Sequence, residues 1–491
     1  MRSRLSHFSC EGVRLTAIPL VVDLDGTLIR TDMLHESALK AVRERPLDAL
    51  RIPMWLARGK AVLKQHLARR ADMDASLLPY NKELIDWLRS ERKAGRTLVL
   101  CTASDKTLAS AIAEHLELFD IVMASDGETN LAGRNKAAAL EQRFGERGFD
   151  YAGNSSADLH VWQAARRAIV VDAPKGLAGQ AASLCEVERE FIAPTTGLAV
   201  WRRALRVHQW LKNILLFVPL FASHHFSDPG IWQALALAFL SFSLCASSVY
   251  IANDLTDLES DRLHPRKSKR PFASGALPVW KGVIAAPLLL LLSLAIGTFV
   301  GGHFLIALGI YFLVTCAYSW GLKRLMLVDC LTLATLYTMR IVAGAAASGL
   351  ELSFWLLAFS GFLFLSLAFV KRYAELQLQL LRGKNKAHGR AYVTTDAQLI
   401  QVLGVNSGCA AVVLLALYFN NENVLRLYHT PELAWVGVPI MLFWICWVWM
   451  CAHRGEMHDD PVIFAVKDRA SLIAGALFGA VLMGASAPWP W

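Results

Sequence analysis

From about residue 205 onward, the chain is a series of long apolar stretches that are separated by short polar gaps. Over the whole chain, 55% of the residues are hydrophobic and the mean hydropathy is +0.37. A helix needs about twenty mostly apolar residues to cross a bilayer. We predict nine spans, at about residues 210–223, 231–252, 279–300, 303–320, 326–347, 353–370, 400–419, 434–452 and 470–488. This part of the chain is therefore predicted to be an all-α membrane bundle.

Basic residues are distributed unequally over the loops that join these predicted spans. If the N-terminal part lies in the cytosol, the inner loops carry nearly all of them and the outer loops contain only Arg426. Cytoplasmic loops are enriched in Lys and Arg. The pattern predicts a multi-pass protein of the inner (cytoplasmic) membrane, with its N-terminal domain cytosolic and its C-terminus on the outer side. Lipid headgroups and phosphorylated substrates then explain the net charge of +9 better than nucleic acid does.

The first 190 residues have the pattern of a soluble α/β domain. An apolar, strand-length run at residues 18–22 leads directly into acidic residues, which is not the pattern of a signal peptide. Further strand-like runs at 96–102, 120–124, 151–154 and 168–172 alternate with helical stretches, which predicts a doubly wound sheet. We assign residues 1–190 to this domain, 191–205 to a linker with a turn at 193–197, and 206–491 to the membrane domain. The nine cysteines include no CxxC pair, so neither disulfides nor a zinc site is expected.

Residues 253–262, with the sequence NDLTDLESDR, place three aspartates directly after the second predicted span. On a helix, offsets of three and seven residues put Asp254, Asp257 and Asp261 on one face. Neighbouring carboxylates repel one another and need a cation, and oxygen ligands suit Mg²⁺, which shares its coordination shell with substrate phosphates. We therefore predict a magnesium site here. The alternative is a solvated acidic helix end at the membrane surface.

Cations and one further carboxylate are predicted to lie at the same opening. Asp329 and Arg340 are eleven residues apart in the fifth predicted span, close to three helical turns, so both should point to one polar face. Arg340 could instead be a structural arginine that bonds helix carbonyls, and the paired basic residues could be topology anchors. The residues assigned to substrate binding on these grounds are Asn253, Lys267, Arg270, Lys323, Arg324, Asp329, Arg340, Lys371 and Arg372. Together they describe an enzyme that joins an activated diphosphate to a lipid.

These residues resemble the UbiA superfamily of intramembrane transferases, whose first aspartate motif is NDxxDxxxD. The motif is complete at residues 253–261, and the resemblance covers about residues 200–490. It implies that the three aspartates are catalytic and hold Mg²⁺. Aromatic prenyltransferases of the family usually carry a second motif, DxxxD. Here Asp329 is followed four residues later by Leu333, so the second motif is incomplete.

Four further segments resemble the decaprenyl-phosphate phosphoribosyltransferase branch, at residues 206–213, 264–271, 318–323 and 371–376. This resemblance adds Lys212 and Tyr373 to the substrate-binding residues. It implies transfer of 5-phosphoribose from phosphoribosyl diphosphate to a polyprenyl phosphate. The alternative is a prenyltransferase that acts on an aromatic or other small acceptor. A transporter is disfavoured, because the intramembrane charges gather at one side instead of lining a path.

In the N-terminal domain, the sequence DLDGT at residues 23–27 resembles the first motif of the haloacid dehalogenase superfamily, which uses aspartyl-phosphate chemistry. The resemblance covers about residues 17–190 and implies that Asp23 is the nucleophile and Asp25 the acid/base. It also assigns Thr102 and Lys136 to phosphate binding, and Asp158 to a Mg²⁺ site together with Asp23 and Asp25.

The same resemblance implies a small helical cap between the first two motifs. Asn154 stands where many relatives have an aspartate, which weakens the expected metal site. Two interpretations therefore stay open. The domain is either an active phosphatase, which would remove the 5-phosphate from the lipid product, or a degenerate scaffold or regulatory domain.

Overall fold

The computed structural model describes residues 18–126, 128–192, 197–383, 390–426, 428–457 and 460–487. The chain divides into two compact units. The first combines the chain up to Ala204 with Ile251–Ile284, and the second combines Leu205–Tyr250 with the chain from Ala285 onward. The boundary at Ala204 falls inside the predicted linker, of which residues 193–196 lie outside the described residues. The units differ from the predicted domains in one respect: the segment that carries the aspartates packs with the N-terminal part.

The first unit is built on a six-stranded parallel sheet with the strand order β3-β2-β1-β4-β5-β6. The strands are β1 Leu20–Val22, β2 Leu98–Asp105, β3 Ile121–Ser125, β4 Asp150–Gly153, β5 Arg167–Val171 and β6 Glu186–Phe191. Strand β1 lies between β2 and β4, and its three side chains are completely buried because helices cover both faces of the sheet. The predicted doubly wound α/β fold is confirmed.

The helices of this domain are α1 Met33–Glu44, α2 Ile52–Ala57, α3 Lys60–Arg70, α4 Lys82–Lys93, α5 Lys106–Leu116, α6 Arg134–Phe144, α7 Leu159–Ala164, α8 Leu177–Ala182 and α9 Leu198–Ala204. Helices α1 to α3 occupy the predicted helical insertion between the first two strands. They have a small core of their own, in which Trp55 packs with Ala41, Leu63 and Leu67. The insertion therefore stands as a separate cap over the sheet domain.

The remaining helices are α10 Val218–Ser223, α11 Pro229–Thr256, α12 Leu258–Leu263, α13 Val279–Val300, α14 Gly302–Trp320, α15 Val328–Ser348, α16 Phe354–Leu381, α17 Ala397–Phe419, α18 Glu422–Leu425, α19 Pro431–Ala434, α20 Gly437–His453, α21 Pro461–Lys467 and α22 Arg469–Ser486. Within the described ranges, eight helical segments are long and apolar enough to cross a membrane. They coincide with the second to ninth predicted spans, which confirms the multi-pass helical bundle.

The first predicted span, residues 210–223, has a different structure. Val207–Phe217 forms a 3₁₀ helix, and the short helix α10 follows it with Pro219 in its first turn. Proline has no backbone N–H to donate, so it is tolerated at a helix start and not within a long helix. A regular span is therefore not formed here, and the predicted number of nine was approximate.

The 3₁₀ segment packs tightly against α15 in the second unit. A Cβ atom placed on Gly344 of α15 would lie 2.0 Å from the carbonyl oxygen of Leu216, so only glycine allows this approach. The close contact fixes the position of the polar residues that the 3₁₀ segment carries, Lys212 and Asn213, which are both buried.

Candidate functional site

The three aspartates of the NDxxDxxxD motif lie on two helices instead of one. Helix α11 ends at Thr256, and Asp257 occupies the N-cap position of α12 with φ −99° and ψ 12°. Backbone hydrogen bonds nevertheless continue through the break, from Asp257 N to Asn253 O at 2.9 Å and from Asp261 N to Asp257 O at 2.8 Å. The motif is therefore divided between two helices where one was predicted, and the shared face of the three aspartates stays a prediction.

Asp254 and Asp261 converge on one guanidinium group. Both are buried, with 2% and 1% of their surface exposed. Nη1 of Arg270 donates to Asp254 Oδ1 at 3.0 Å and to Asp261 Oδ2 at 2.6 Å, and Lys267 Nζ lies 3.9 Å from Asp261 Oδ1. Burial raises the pKa of Asp261 above its ordinary value, and Arg270 only partly offsets this. Two of the predicted phosphate-binding cations thus lie beside two of the predicted metal ligands.

One carboxylate oxygen at this place fits a metal ion. Oδ1 of Asp261 is buried and accepts no hydrogen bond within the described part of the chain. Such an oxygen, next to a second buried carboxylate, suits a hard cation such as Mg²⁺. No group of three acidic, histidine or cysteine side chains among the described residues has the arrangement of a metal site. The arrangement is therefore a pair of carboxylates with a guanidinium between them, and the assignment of Asp257 to the metal stays a prediction.

In the second unit, Asp460 brings two of the predicted phosphate-binding lysines together. Its Oδ2 lies 2.7 Å from Lys212 Nζ and 3.0 Å from Lys371 Nζ, and its Oδ1 accepts from Tyr337 Oη at 2.6 Å. Burial alone would raise the pKa of Asp460, but the two lysines hold it well below its ordinary value. Two ammonium groups against one carboxylate leave an excess positive charge, which suits an anion.

Asp460 received no role from the sequence, although a local signal exists. Its side chain accepts from Val462 N and it precedes Pro461 at the start of α21, so it is also a helix N-cap. Asp followed by Pro is a typical helix start. That signal predicts the cap but not the two lysines, which are 248 and 89 residues away in the sequence. Residue 459 lies outside the described residues.

Asp329, on α15, is held by two arginines and a tyrosine. Asp329 is completely buried. Its Oδ2 lies 2.9 Å from Arg372 Nε and 3.0 Å from Arg390 Nη1. Its Oδ1 lies 3.1 Å from Arg390 Nη1 and accepts from Tyr318 Oη at 2.9 Å. Arg372 is completely buried as well and also contacts Glu375. These contacts favour a positioning role for Asp329 and Arg372 over the predicted direct contact with substrate.

Arg340 makes the contacts of a structural arginine, which is the alternative that the sequence left open. It donates to Leu336 O in its own helix, to Asn213 Oδ1 at 2.9 Å and to Tyr311 Oη at 3.1 Å. Its guanidinium also lies over the rings of three aromatic residues, Phe242, Tyr311 and Tyr337. Asp329 and Arg340 lie on one continuous helix but belong to different hydrogen-bond networks, and their predicted shared face stays a prediction.

The other predicted substrate-binding residues of this unit differ in their surroundings. Tyr373 is buried, and its hydroxyl contacts His453 Nδ1 and Gln377 Nε2, both at 2.9 Å, which indicates helix packing. Lys323 and Arg324 belong to the 3₁₀ turn Leu322–Arg324, where Arg324 is exposed. Their assignment to substrate stays a prediction.

At the carboxyl edge of the sheet, the phosphatase-like residues are brought together as predicted. Asp23 follows β1, and its Oδ1 accepts from Leu24 N and from Lys136 Nζ of α6, both at 2.8 Å. Asp25 Oδ1 accepts from Met33 N at 2.8 Å, and its Oδ2 accepts from Ser104 Oγ at 2.6 Å. Thr102 is completely buried within β2.

The environment of Asp25 changes its acidity. Burial raises the pKa of Asp25 to about 7, and the nearby charge of Asp32 adds to this effect. A carboxyl group with such a pKa can both give and accept a proton at neutral pH, as a general acid and base must. Burial also raises the pKa of Asp23, although Lys136 opposes the change.

Asp158 is engaged by protein donors on both oxygens. Oδ1 accepts from Tyr151 Oη at 2.8 Å, and Oδ2 accepts from the backbone of Asn154 and Ser155 and from Ser155 Oγ at 2.9 to 3.0 Å. These bonds favour a role in shaping the loop over the predicted direct metal ligation. Asn154 lies against the motif turn, since a Cβ on Gly26, whose φ is +76°, would meet its Nδ2 at 2.0 Å. The residues present therefore do not fit a metal held by three carboxylates.

Sequence reasoning missed two contributors to this phosphatase-like site. Tyr151 joins Lys136 to Asp158, because its hydroxyl lies 2.9 Å from Lys136 Nζ. Lys64 reaches in from the cap helix α3 and donates to Ala103 O at 2.6 Å. Burial lowers the pKa of Lys64 below its ordinary value. A lysine in a cap helix has no motif around it, so no signal in the sequence identified it.

Comparison with known proteins places both parts of the chain. Residues 20–163 match the haloacid dehalogenase-like hydrolases, and residues 214–467 match the UbiA prenyltransferase family. The uncharacterized protein y4nM of Sinorhizobium fredii is 37% identical over 470 residues, which cover 95% of this chain and 90% of that relative. Both parts of the chain thus recur together in one relative.

A second relative covers about half of the chain. The decaprenyl-phosphate phosphoribosyltransferase of Mycolicibacterium smegmatis is 32% identical over 275 residues, covering 54% of this chain and 86% of that protein. A solved structure of a UbiA homologue from Archaeoglobus fulgidus, bound to GPP and Mg²⁺, covers 58% of this chain and 99% of its own, with a TM-score of 0.46 and 18% identity. With a haloacid dehalogenase-like domain at its N-terminus, the chain belongs to the UbiA prenyltransferase family.

Proposed function

We propose that this protein transfers 5-phosphoribose from phosphoribosyl diphosphate to a polyprenyl phosphate in the membrane. The observation that carries the proposal is the buried pair Asp254 and Asp261 with Arg270 between them, in a chain similar to a protein named decaprenyl-phosphate phosphoribosyltransferase. Carboxylates that can hold a cation, next to arginine and lysine, suit a diphosphate better than a neutral group.

The acceptor is also anionic, and the second unit offers cations for it. Lys212 and Lys371, which share Asp460, supply the excess positive charge that a lipid phosphate needs. Only Asp329 of the second aspartate motif is present, and its carboxylate forms ion pairs with Arg372 and Arg390. This favours a donor and an acceptor that both carry phosphate over prenyl transfer to an aromatic acid.

In the proposed reaction, an oxygen of the lipid phosphate attacks the anomeric carbon of the ribose. A new carbon–oxygen bond forms while the bond from that carbon to diphosphate breaks, and diphosphate leaves with the electron pair. The acceptor is already ionised at neutral pH, so no side chain has to remove a proton. Arg270 and Lys267 would bind the departing diphosphate, and orientation with charge stabilisation would supply the rate increase.

Asp254 and Asp261 are the residues that would hold Mg²⁺, with Asp257 as a predicted third ligand. Bound Mg²⁺ would neutralise the negative charge that develops on the leaving diphosphate. The buried Oδ1 of Asp261, which accepts no hydrogen bond from the described residues, supports this role.

Incubation of the purified full chain tests the proposal. With Mg²⁺, polyprenyl phosphate and phosphoribosyl diphosphate labelled in the ribose, we expect a labelled lipid. Arg270→Ala should lose most of this activity, whereas Arg266→Ala, a matched change at an exposed arginine of the same basic segment, should retain it. Product only from a prenyl diphosphate and an aromatic acid would reverse the assignment in favour of aromatic prenyl transfer.

We further propose that the N-terminal domain removes the 5-phosphate from the lipid product. Asp23, next to Lys136, would attack the phosphorus, and the bond from phosphorus to the ribose oxygen would break as aspartyl phosphate forms. Asp25, with its pKa of about 7, would protonate the departing alkoxide and then activate the water that releases inorganic phosphate.

Phosphate release from purified phosphoribosylated lipid tests this second activity. We expect steady release by the wild type and none by Asp23→Asn, with transfer unchanged in the same variant. Release that is unchanged in Asp23→Asn would eliminate the proposed phosphatase step, and absence of release in the wild type would favour the scaffold interpretation.

A further inference from the structure

The cap helix α1 contacts the segment that follows the aspartate motif at two ion pairs. Glu36 accepts from Nη1 of Arg262 at 2.9 Å and from its Nη2 at 2.5 Å, and Lys40, one turn further along α1, lies 2.7 Å from Glu259 Oε1. Glu259 and Arg262 flank Asp261 in the sequence. Two successive turns of one helix therefore hold α12 on either side of a proposed metal ligand.

The first of these pairs is not an ordinary surface salt bridge. The side chains of Arg262 and Glu36 are 6% and 3% exposed. Surface pairs contribute little, but removing one partner of a buried pair leaves an uncompensated charge and is strongly destabilising. Arg262 also donates from Nε to Ala273 O at 3.1 Å, so it ties the loop after Arg270 to α12.

A third contact, through the backbone, joins the turn before α1 to the loop after Arg270. Gly275 has φ +74°, and a Cβ atom there would lie 2.3 Å from the carbonyl oxygen of Arg30. Any larger residue would push the loop that follows Arg270 away from the turn between the DLDGT motif and α1. This close approach does not depend on the ion pairs, so it supports the docking independently.

The docked helix also begins inside the phosphatase-like site. Asp25 accepts from Met33 N at the first turn of α1, and Gly26 N donates to Thr31 O at 3.1 Å. Thr31 Oγ1 donates to Glu36 Oε1 at 2.6 Å, and Glu36 binds Arg262. Three successive hydrogen-bonded contacts thus lead from the turn after Asp25 to the residue next to Asp261.

We propose that Glu36 and Lys40 are positioning residues for the transfer reaction: the haloacid dehalogenase-like domain holds the aspartate segment in place through α1. The transferase then requires this domain as a support, independently of whether the domain hydrolyses phosphate. The inference rests on the proposed role of Asp254 and Asp261 in transfer.

Transfer kinetics of the full chain test the proposal. Glu36→Ala should lower kcat/KM about tenfold or more, because small displacements of reacting groups slow a reaction strongly. The same variant should need a higher Mg²⁺ concentration to reach half of its maximal rate. Arg262→Ala should have the same effect, and the double variant should be no worse than either single variant, because the pair acts as a unit. Arg43→Ala, at an exposed position of the same helix, is the matched control and should leave both quantities unchanged.

A compensating variant separates support from general damage. The exchanged pair, Glu36→Arg with Arg262→Glu, should regain part of the activity that each single change removes. Additive losses in the double variant, or an unchanged Mg²⁺ dependence in Glu36→Ala, would overturn the positioning role.

If the wild type forms no labelled lipid, the proposed transfer reaction is refuted. Hydrogen–deuterium exchange still tests whether α1 holds the aspartate segment in place. Amide exchange in residues 258–263 should be faster in Glu36→Ala than in the wild type and unchanged in Arg43→Ala. Equal exchange in all three proteins would show that α1 does not hold the aspartate segment.

Discussion

Replacing Asp329 by asparagine is expected to destabilise the second unit strongly. The carboxylate has no exposed surface and is the common partner of Arg372 and Arg390, with Tyr318 as a further donor. Asparagine has nearly the same shape but no charge. The change therefore isolates the electrostatic contribution and leaves the packing of α15 almost unaltered.

The magnitude follows from the burial of the partners. Arg372 is completely buried, and after the substitution its remaining acidic contact is Glu375, which is partly exposed. Removing one member of a buried ion pair costs about 3 to 5 kcal/mol. For a unit of this size, such a loss corresponds to a fall in melting temperature of roughly 10 °C.

Thermal unfolding of the full chain in detergent, followed by tryptophan fluorescence, measures this change. Glu351→Gln, at an exposed position of the same unit, serves as the matched control and should melt like the wild type. The double variant Asp329→Leu with Arg372→Met removes both charges and should recover part of the lost stability, because well-packed apolar residues can replace a buried pair.

A wild-type melting temperature in Asp329→Asn together with complete loss of transfer would refute the reasoning. Asp329 would then be a substrate-binding residue, as the sequence alone predicted, and its contacts with Arg372 and Arg390 would be dispensable. Loss of stability with residual transfer supports the positioning role.

Three further predictions concern individual acids. The folded-state pKa of Asp25 is raised to about 7, so the stability of the wild type falls as the pH rises from the ordinary carboxyl range through 7. In thermal melting experiments, Asp25→Asn should therefore stabilise the protein by up to about 4 kcal/mol at pH 8 and by less at pH 5. Asp460→Asn should lower the melting temperature by leaving Lys212 and Lys371 without a shared counter-charge, and added inorganic phosphate should restore part of it; no effect of phosphate would contradict an anion site. Asp257→Ala should abolish transfer without changing the melting temperature, and retained transfer would remove Asp257 from the metal site.

The pattern of apolar residues predicted both architectures, because alternating strands and helices and long apolar stretches are local properties of the chain. The residues around Asp23 were predictable for a related reason: a strand of a parallel sheet delivers the residues that follow it to one edge. Hydropathy did not identify the 3₁₀ segment Val207–Phe217, because the apolar residues 214–221 resemble part of a span and only the backbone geometry distinguishes them.

The sequence could not predict which charged side chains form ion pairs or hydrogen bonds with each other. Arg390 pairs with Asp329 across 61 residues, Lys212 with Asp460 across 248 and Arg262 with Glu36 across 226. No local periodicity encodes such pairs, which depend on how whole helices pack. Of these residues the sequence indicated only Asp329 and Lys212 as candidate site residues, and it did not indicate which residues neutralise them.

The guanidinium of Arg270 lies between Asp254 and Asp261 and acts as a counterion for both. Without it, two buried acids of like charge would repel each other. Because Arg270 already balances both acids, we expect the fold of this segment to persist in a chelator.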